Sequence, residues 1–142
     1  MMTRSEIEKM IPHREPFLFL DNVLELEPGT RCVAQMIVDP KNPIFAGHFP
    51  SNPILPGVLI IEAVAQTAAV MMASAAPEGS IGNALLAAVN RFKFLKPILP
   101  GHDVRMETTK LTAAGSMFYI GGTVSVDGIT VASGELSVVC SG

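Results

Sequence analysis

Polar and apolar positions change period several times along the chain, and each change marks an element. Thr3 and Glu6 make a T-x-x-E capping box, which predicts a short helix over 4–10 that Pro12 stops. Residues 17–26 and 31–39 read as two strands joined by a Pro28-Gly29 turn. From 41 to 57 the periodicity lapses. Pro43, Pro50, Pro53 and Pro56, with Pro40 at the edge, exclude a helix or a central strand there. A proline-rich segment loses little entropy when it orders, and one this long predicts a functional loop.

Residues 58–76, VLIIEAVAQTAAVMMASAA, are apolar on every side, which predicts a helix buried all round. Its length would suit a membrane span. Glu62 and Gln66 lie one turn apart near its start, however, and no Lys or Arg anchors it, so a core helix is expected without membrane insertion. Four strands follow, over 84–94, 103–112, 116–126 and 129–140. Asp127-Gly128 is a strong two-residue hairpin signal between the last two, and Ala114-Gly115 a weaker one before them. Phe118, Ile120, Val124 and Val126 share one face while Tyr119, Thr123 and Ser125 share the other, as in a half-covered antiparallel strand. The expected class is α+β, an antiparallel sheet curled around one long central helix.

Composition adds a constraint on assembly. The 142 residues suit a single domain, 1–142, but 49% are apolar and the mean hydropathy is +0.41. That surplus points to subunit contacts or an apolar ligand channel, because large exposed patches are rare on monomers. A net charge of −3, with ten basic residues scattered among thirteen acidic ones, argues against nucleic acid. Cys32 and Cys140 lie far apart with no Cys/His cluster, so two free thiols in a reducing cytoplasm are expected. The N-terminal residues hold no long apolar stretch of the signal-peptide kind, so secretion is not supported and a cytoplasmic location is expected.

The charge pattern locates the candidate chemistry. Between Asn42 and Asn90 only Glu62 and Glu78 are formally charged, and Glu78 belongs to a polar turn. Glu62 is thus a carboxyl inside an apolar helix, which costs several kcal/mol, of order, unless it is protonated or finds a partner. His48 lies in Gly47-His48-Phe49-Pro50, in the proline-braced loop just before that helix. An imidazole that titrates near neutrality and a carboxyl with a raised pKa make a base and an acid at neutral pH. Pro56-Gly57 opens the helix, whose first N–H groups have no internal partner and can receive a developing oxyanion. The set suits removal of a proton next to a carbonyl.

Ile11-Pro12-His13-Arg14-Glu15-Pro16-Phe17-Leu18, Gly47-His48-Phe49-Pro50 and the run from Pro53 through Pro56-Gly57-Val58 to Glu62-Ala63, with Ala65-Gln66 following, resemble the β-hydroxyacyl-acyl-carrier-protein dehydratases of fatty-acid synthesis. Pro97-Ile98-Leu99-Pro100-Gly101 resembles a later motif of that family, so the likeness spans most of the chain. The resemblance implies a hot-dog fold. It also implies that His48 takes the α-proton of a 3-hydroxyacyl thioester, that Glu62 protonates the departing β-hydroxyl, and that the Gly57 N–H binds the thioester carbonyl. Phe49, Val58 and Gln66 are expected to contact the substrate beside Gly57.

Family members that also isomerise the double bond carry aspartate at the position of Glu62, so dehydration alone is implied. The implied partners are acyl carrier protein, its acyl thioester and a second copy of the chain, with a trimer of dimers as a compatible assembly and the site's histidine and glutamate drawn from different subunits. Arg91, Lys93 and Lys96 form the close basic cluster expected to steer the acidic carrier. No cofactor and no metal is expected, because the three histidines show no ligand spacing. Asn90, where aspartate is usual, and Ser51-Asn52 depart from the family pattern. His13 and Arg14 read as structural residues that satisfy backbone groups at a helix end, His102 as a solvated turn residue, and the eight methionines as core filling. Two other activities compete for the same fold, a thioester hydrolase with Glu62 activating water and a non-catalytic acyl-binding subunit.

Overall fold

A computed structural model describes residues 1–141. Its elements are α1 (Arg4–Glu8), β1 (Asn22–Glu27), β2 (Arg31–Ile37), a 3-10 turn (Pro43–Ala46), α2 (Gly57–Ala75), β3 (Asn83–Phe94), β4 (Asp103–Ala114), β5 (Met117–Val126) and β6 (Ile129–Ser141). The strands form one antiparallel sheet in the order β1-β2-β4-β5-β6-β3. It curls around α2, the hot-dog arrangement that the sequence motifs imply.

The core lies between α2 and the concave face of the sheet. Val64, Ala68, Val70 and Met71 of the helix are fully buried, as are Met106, Ile120, Val124 and Leu136 of the sheet. Each large side chain withdrawn from water contributes about 1.5–3 kcal/mol. Helix and sheet meet closely because β5 carries Gly122. A Cβ there would lie 2.6 Å from Cγ1 of Val64. Met36, Met71, Met72 and Met106 are all buried, so these methionines do fill the core. Cys32 and Cys140 are free thiols, and burial pushes the Cys32 thiol up to about 12 despite the neighbouring Arg31.

Local chemistry explains the boundaries. The Thr3 side chain accepts from the Glu6 N–H and the Glu6 side chain returns to the Thr3 backbone, so the capping box forms as expected. Asp127 and Gly128 take φ of +52° and +77°, the left-handed pair that closes the β5–β6 hairpin. The β4–β5 turn falls on Gly115-Ser116, one residue later than expected, since Ala114 pairs with Met117. α2 stops where Ala76, ahead of Pro77, turns extended.

Three expectations need correction. The first strand starts at Asn22, not at 17, because the backbone of Phe17 and Phe19 is claimed by a side chain from α2. The proline-rich loop does contain a helical turn, Pro43–Ala46. Proline is tolerated at its first position, and the Asn42 side chain accepts from the Ile44 N–H to cap it. Finally, α2 is not buried all round. Its first turns expose Val58, at 73%, and leave Ile61, Glu62 and Ala65 partly open along one side, whereas 66–73 are buried.

Candidate active site

His48 and Glu62 stand on two different supports. The loop carrying His48 closes on itself: the Phe49 N–H donates to Asn52 O, the Asn52 N–H to Phe49 O and the Ile54 N–H to His48 O. Ser51-Asn52 is therefore the tip of a tight turn. The Leu55 N–H donates to Ile98 O and anchors the loop beside the start of α2. Nδ1 of His48 lies 2.9 Å from Ile54 O. A carbonyl oxygen only accepts, so Nδ1 carries the hydrogen, and Nε2 of the neutral ring is left with its lone pair free to act as a base. The ring stacks on Phe49, with centroids 4.2 Å apart.

Glu62 is not the isolated carboxyl that the sequence suggested. Nε2 of Gln66, one turn along α2, donates to its Oε2 at 2.9 Å. Nε2 of His13 lies 3.8 Å from the same oxygen, within ion-pair range but beyond hydrogen bonding. Among the described residues no donor reaches Oε1, which leaves that oxygen free to exchange a proton. His13 rather than His48 is thus the histidine beside Glu62 within one chain.

Gln66, expected to contact substrate, is fully buried and its amide is already committed. Oε1 accepts from the Phe19 N–H at 2.9 Å, and Nε2 donates both to Phe17 O at 2.8 Å and to Glu62. It ties the 17–19 segment to the Glu62 carboxyl. The polar spacing of Glu62 and Gln66 on an apolar helix was the signal for such a pair. Arg14 satisfies backbone groups as expected, donating to Ile11 O, His13 O and Glu8 O. His13 departs from that expectation, since its Nδ1 is buried with no partner among the described residues.

Pro56 gives α2 no side-chain cap; its carbonyl accepts from the Leu59 and Ile60 N–H groups, while the Gly57 and Val58 amides find no acceptor among the described residues. The ring of Phe94 rests over Gly57, and a Cβ added there would lie 3.0 Å from it. Phe49 and Val58 are exposed in the single chain. A groove of about 440 Å³ lies beside this region, lined by Glu15, Phe19, Asp21, Val38, Leu55 and Leu59, and includes neither His48 nor Glu62.

The basic residues divide. Lys93 and Lys96 flank Phe94 and are exposed, whereas Arg91 lines a separate groove with Glu107 and Glu135. Arg91 takes φ +53° in the bulge between Asn90 and Lys93, where pairing with β6 slips. Asn90 therefore stands at an irregular point of β3. His102 is a structural clasp: its Nδ1 accepts from the Leu99 N–H and its carbonyl from the Val38 N–H.

Similar proteins share this framework. A dehydratase heterocomplex from Xenorhabdus doucetiae superposes with a TM-score of 0.77 at 17% identity, covering 96% of this chain and 91% of that one. A hypothetical thioesterase with coenzyme A from Streptococcus pneumoniae superposes at 0.66 and 10% identity, with 85% of each chain covered. Sequence likeness is stronger. The 3-hydroxyacyl-[acyl-carrier-protein] dehydratase of Roseiflexus castenholzii is 44% identical over 96% of this chain and 94% of its own length. That of Acetivibrio thermocellus is 40% identical over 96% and 92%. The FabA-like domain matches residues 11–135, which contain the His48 loop, Gly57, Glu62 and Gln66. The chain belongs to the FabA-like family.

Proposed function

We propose that the chain removes water from (3R)-hydroxyacyl thioesters carried on acyl carrier protein, giving the trans-2-enoyl thioester in fatty-acid synthesis. The whole chain, 1–142, acts in the cytoplasm as one catalytic domain. The observation that carries this reading is the Nδ1 contact of His48 with Ile54 O, which leaves Nε2 as a lone-pair base on an anchored loop.

In this mechanism Nε2 of His48 takes the α-proton while the Gly57 N–H holds the thioester oxygen as negative charge develops on it. The electron pair of the broken C–H bond becomes the new double bond. The β C–O bond breaks, and the proton on Oε1 of Glu62 goes to the departing oxygen, which leaves as water. Passing the α-proton from His48 to Glu62 restores both groups. Phe49, stacked on His48, and Val58, next to Gly57, are exposed and line the substrate path, whereas Gln66 acts through Glu62.

A second copy completes the site. β3 lies at an edge of the sheet, and Leu85, Leu86, Val89 and Phe94 along it are exposed, as is Val58 on the open side of α2. A long apolar edge favours pairing with an identical edge, which gives a two-fold homodimer and permits a trimer of dimers. Such pairing would let the His48 of one chain serve the Glu62 of its partner. Lys93 and Lys96 beside Phe94 would meet the acidic carrier, with Arg91 a weaker contributor because Glu107 and Glu135 share its groove.

The test is to supply a 3-hydroxyacyl thioester and identify the product. Enoyl thioester is expected. Free acid would replace this reading with hydrolysis, and unchanged substrate would replace it with acyl binding.

A further inference from the structure

Position 57 carries glycine where the backbone does not ask for one. Gly57 is not among the glycines of positive φ; it opens α2, in a conformation that alanine adopts readily. The obstacle to a side chain is Phe94. A Cβ on Gly57 would meet Cζ, Cε1 and Cε2 of that ring at 3.0, 3.2 and 3.4 Å, closer than side chains normally pack. A Cα–Cβ bond tilts toward the N-terminal end of its helix, the end at which the Gly57 N–H is unpaired, so the tip of the ring fills space beside that donor.

Its neighbours hold the ring there. Phe92 packs against it with centroids 5.5 Å apart, and Phe92 is itself seated on Gly134 of β6, where an added Cβ would lie 2.5 Å from its Cα and Cδ2. Just beyond Phe94, the Leu95 and Lys96 N–H groups both donate to Val131 O and fix the end of the strand. Phe94 is nevertheless 48% exposed: the tip of the ring touches the helix start, and part of it stays open to an incoming group.

We propose that Phe94 is a substrate-positioning residue: its ring walls the pocket at the Gly57 amide, keeps water from that donor and seats the thioester carbonyl against it, and its presence is why residue 57 is glycine. The inference rests on the reading of the Gly57 N–H as the donor to the thioester oxygen. A hydrogen bond to a developing oxyanion is worth more where water is excluded, and removing the ring would leave room for water to compete for the donor. An apolar ring supplies shape and dryness, not a proton, so its effect falls on the carbonyl, which every acyl thioester shares. Lys93 and Lys96, on either side of it, act on the carrier instead.

The experiment compares the full-length protein with Phe94→Ala, Phe94→Leu, Gly57→Ala and the Phe94→Leu/Gly57→Ala double variant, each checked for assembly by sedimentation. It measures kcat and KM for a carrier-linked and a short free 3-hydroxyacyl thioester. It also records, by infrared difference spectroscopy, the carbonyl stretch of bound butyryl thioester isotope-labelled at the carbonyl carbon. Phe94→Ala should lower kcat about ten- to a hundredfold on both substrates and return the bound carbonyl stretch toward its frequency in water. Phe94→Leu, shorter but still apolar, should stay within a few-fold of wild type. Gly57→Ala keeps its N–H yet should lose about tenfold by pushing the ring aside, and the double variant should be no slower than Phe94→Leu alone. A double variant as slow as Gly57→Ala overturns the proposal, since the substrate and not the ring would then need the space. So does a defect confined to carrier-linked substrate. A carbonyl stretch shifted in wild type and unchanged in Phe94→Ala overturns this inference and leaves the Gly57 donor standing, whereas no shift in wild type overturns both. If wild type forms no enoyl thioester, the dehydratase reading falls and the carbonyl stretch alone decides on Phe94. Should Phe94→Ala fail to assemble, the double variant decides.

Discussion

The two edges of the sheet are treated in opposite ways. β1 is six residues long, slips register between Val23 and Glu25, and is bridged on its outer side by Met2, which exchanges both backbone hydrogen bonds with Val23. Glu25 and Glu27 add charge to that edge and share Arg31 with Glu107. Short length, irregularity and charge all discourage further pairing. β3 has twelve residues, exposes Leu85 at 63%, and has no strand on its far side among the described residues. One edge is finished within the chain and the other stays open and apolar, the edge that the proposed dimer would cover.

The strongest way to break this contrast is to test whether one chain makes a site alone. His48→Ala and Glu62→Gln should each lower turnover by about 10²- to 10⁴-fold without unfolding the protein. Co-expression should restore about a quarter of wild-type activity per site, since half of randomly paired dimers are mixed and half of their sites are intact. Mixed dimers, purified with two different tags, that stay as inactive as their parents would place both residues in one chain.

A second test compares the edges directly. Leu86→Lys with Val89→Lys should convert the assembly to monomers in sedimentation and lower activity more than about tenfold, as lysine blocks edge pairing. Glu27→Lys on β1 should leave the oligomer unchanged and stability within about 0.5 kcal/mol. Equal effects at both edges would end the distinction.

Smaller changes sharpen it. Gly134 of β6 faces the bulge of β3, where an added Cβ would lie 2.5 Å from the Phe92 backbone. Gly134→Ala should cost about 1–3 kcal/mol in denaturant unfolding by forcing the edge strand outward. The smallest effect is expected from reversing Lys93 and Lys96 to glutamate, which should raise KM a few-fold for carrier-linked substrate and leave a short free thioester unaffected. An equal rise with both substrates would mean damage to the edge rather than to docking.

The sequence made the strands after α2 legible because their turns are chemically explicit: Asp127-Gly128 and the glycine at 115 permit left-handed backbone where few other residues would. Candidate chemistry was legible because a lone carboxyl in an apolar helix and a histidine in a proline-braced loop are both unusual. Tertiary contacts stayed hidden. Nothing local distinguishes Phe17 to Phe19 from a strand, since its diversion comes from Gln66, forty-seven residues from Phe19. The same reason hid the burial of Gln66 and the approach of His13 to Glu62. The open side of α2 was hidden too, because an apolar residue facing a core and one facing another subunit look alike in sequence.

The reach of Gln66 also bears on how the protein is made. The Phe17 carbonyl and the Phe19 amide are synthesised well before their partner, so during elongation they can be satisfied only by water. Closing that long loop and orienting Glu62 are then one event, delayed until α2 has formed and found the N-terminal segment. A nascent or partly folded chain carries the carboxyl without the amide that holds it, and on the proposed mechanism the ability to protonate a leaving hydroxyl would arrive only with maturation.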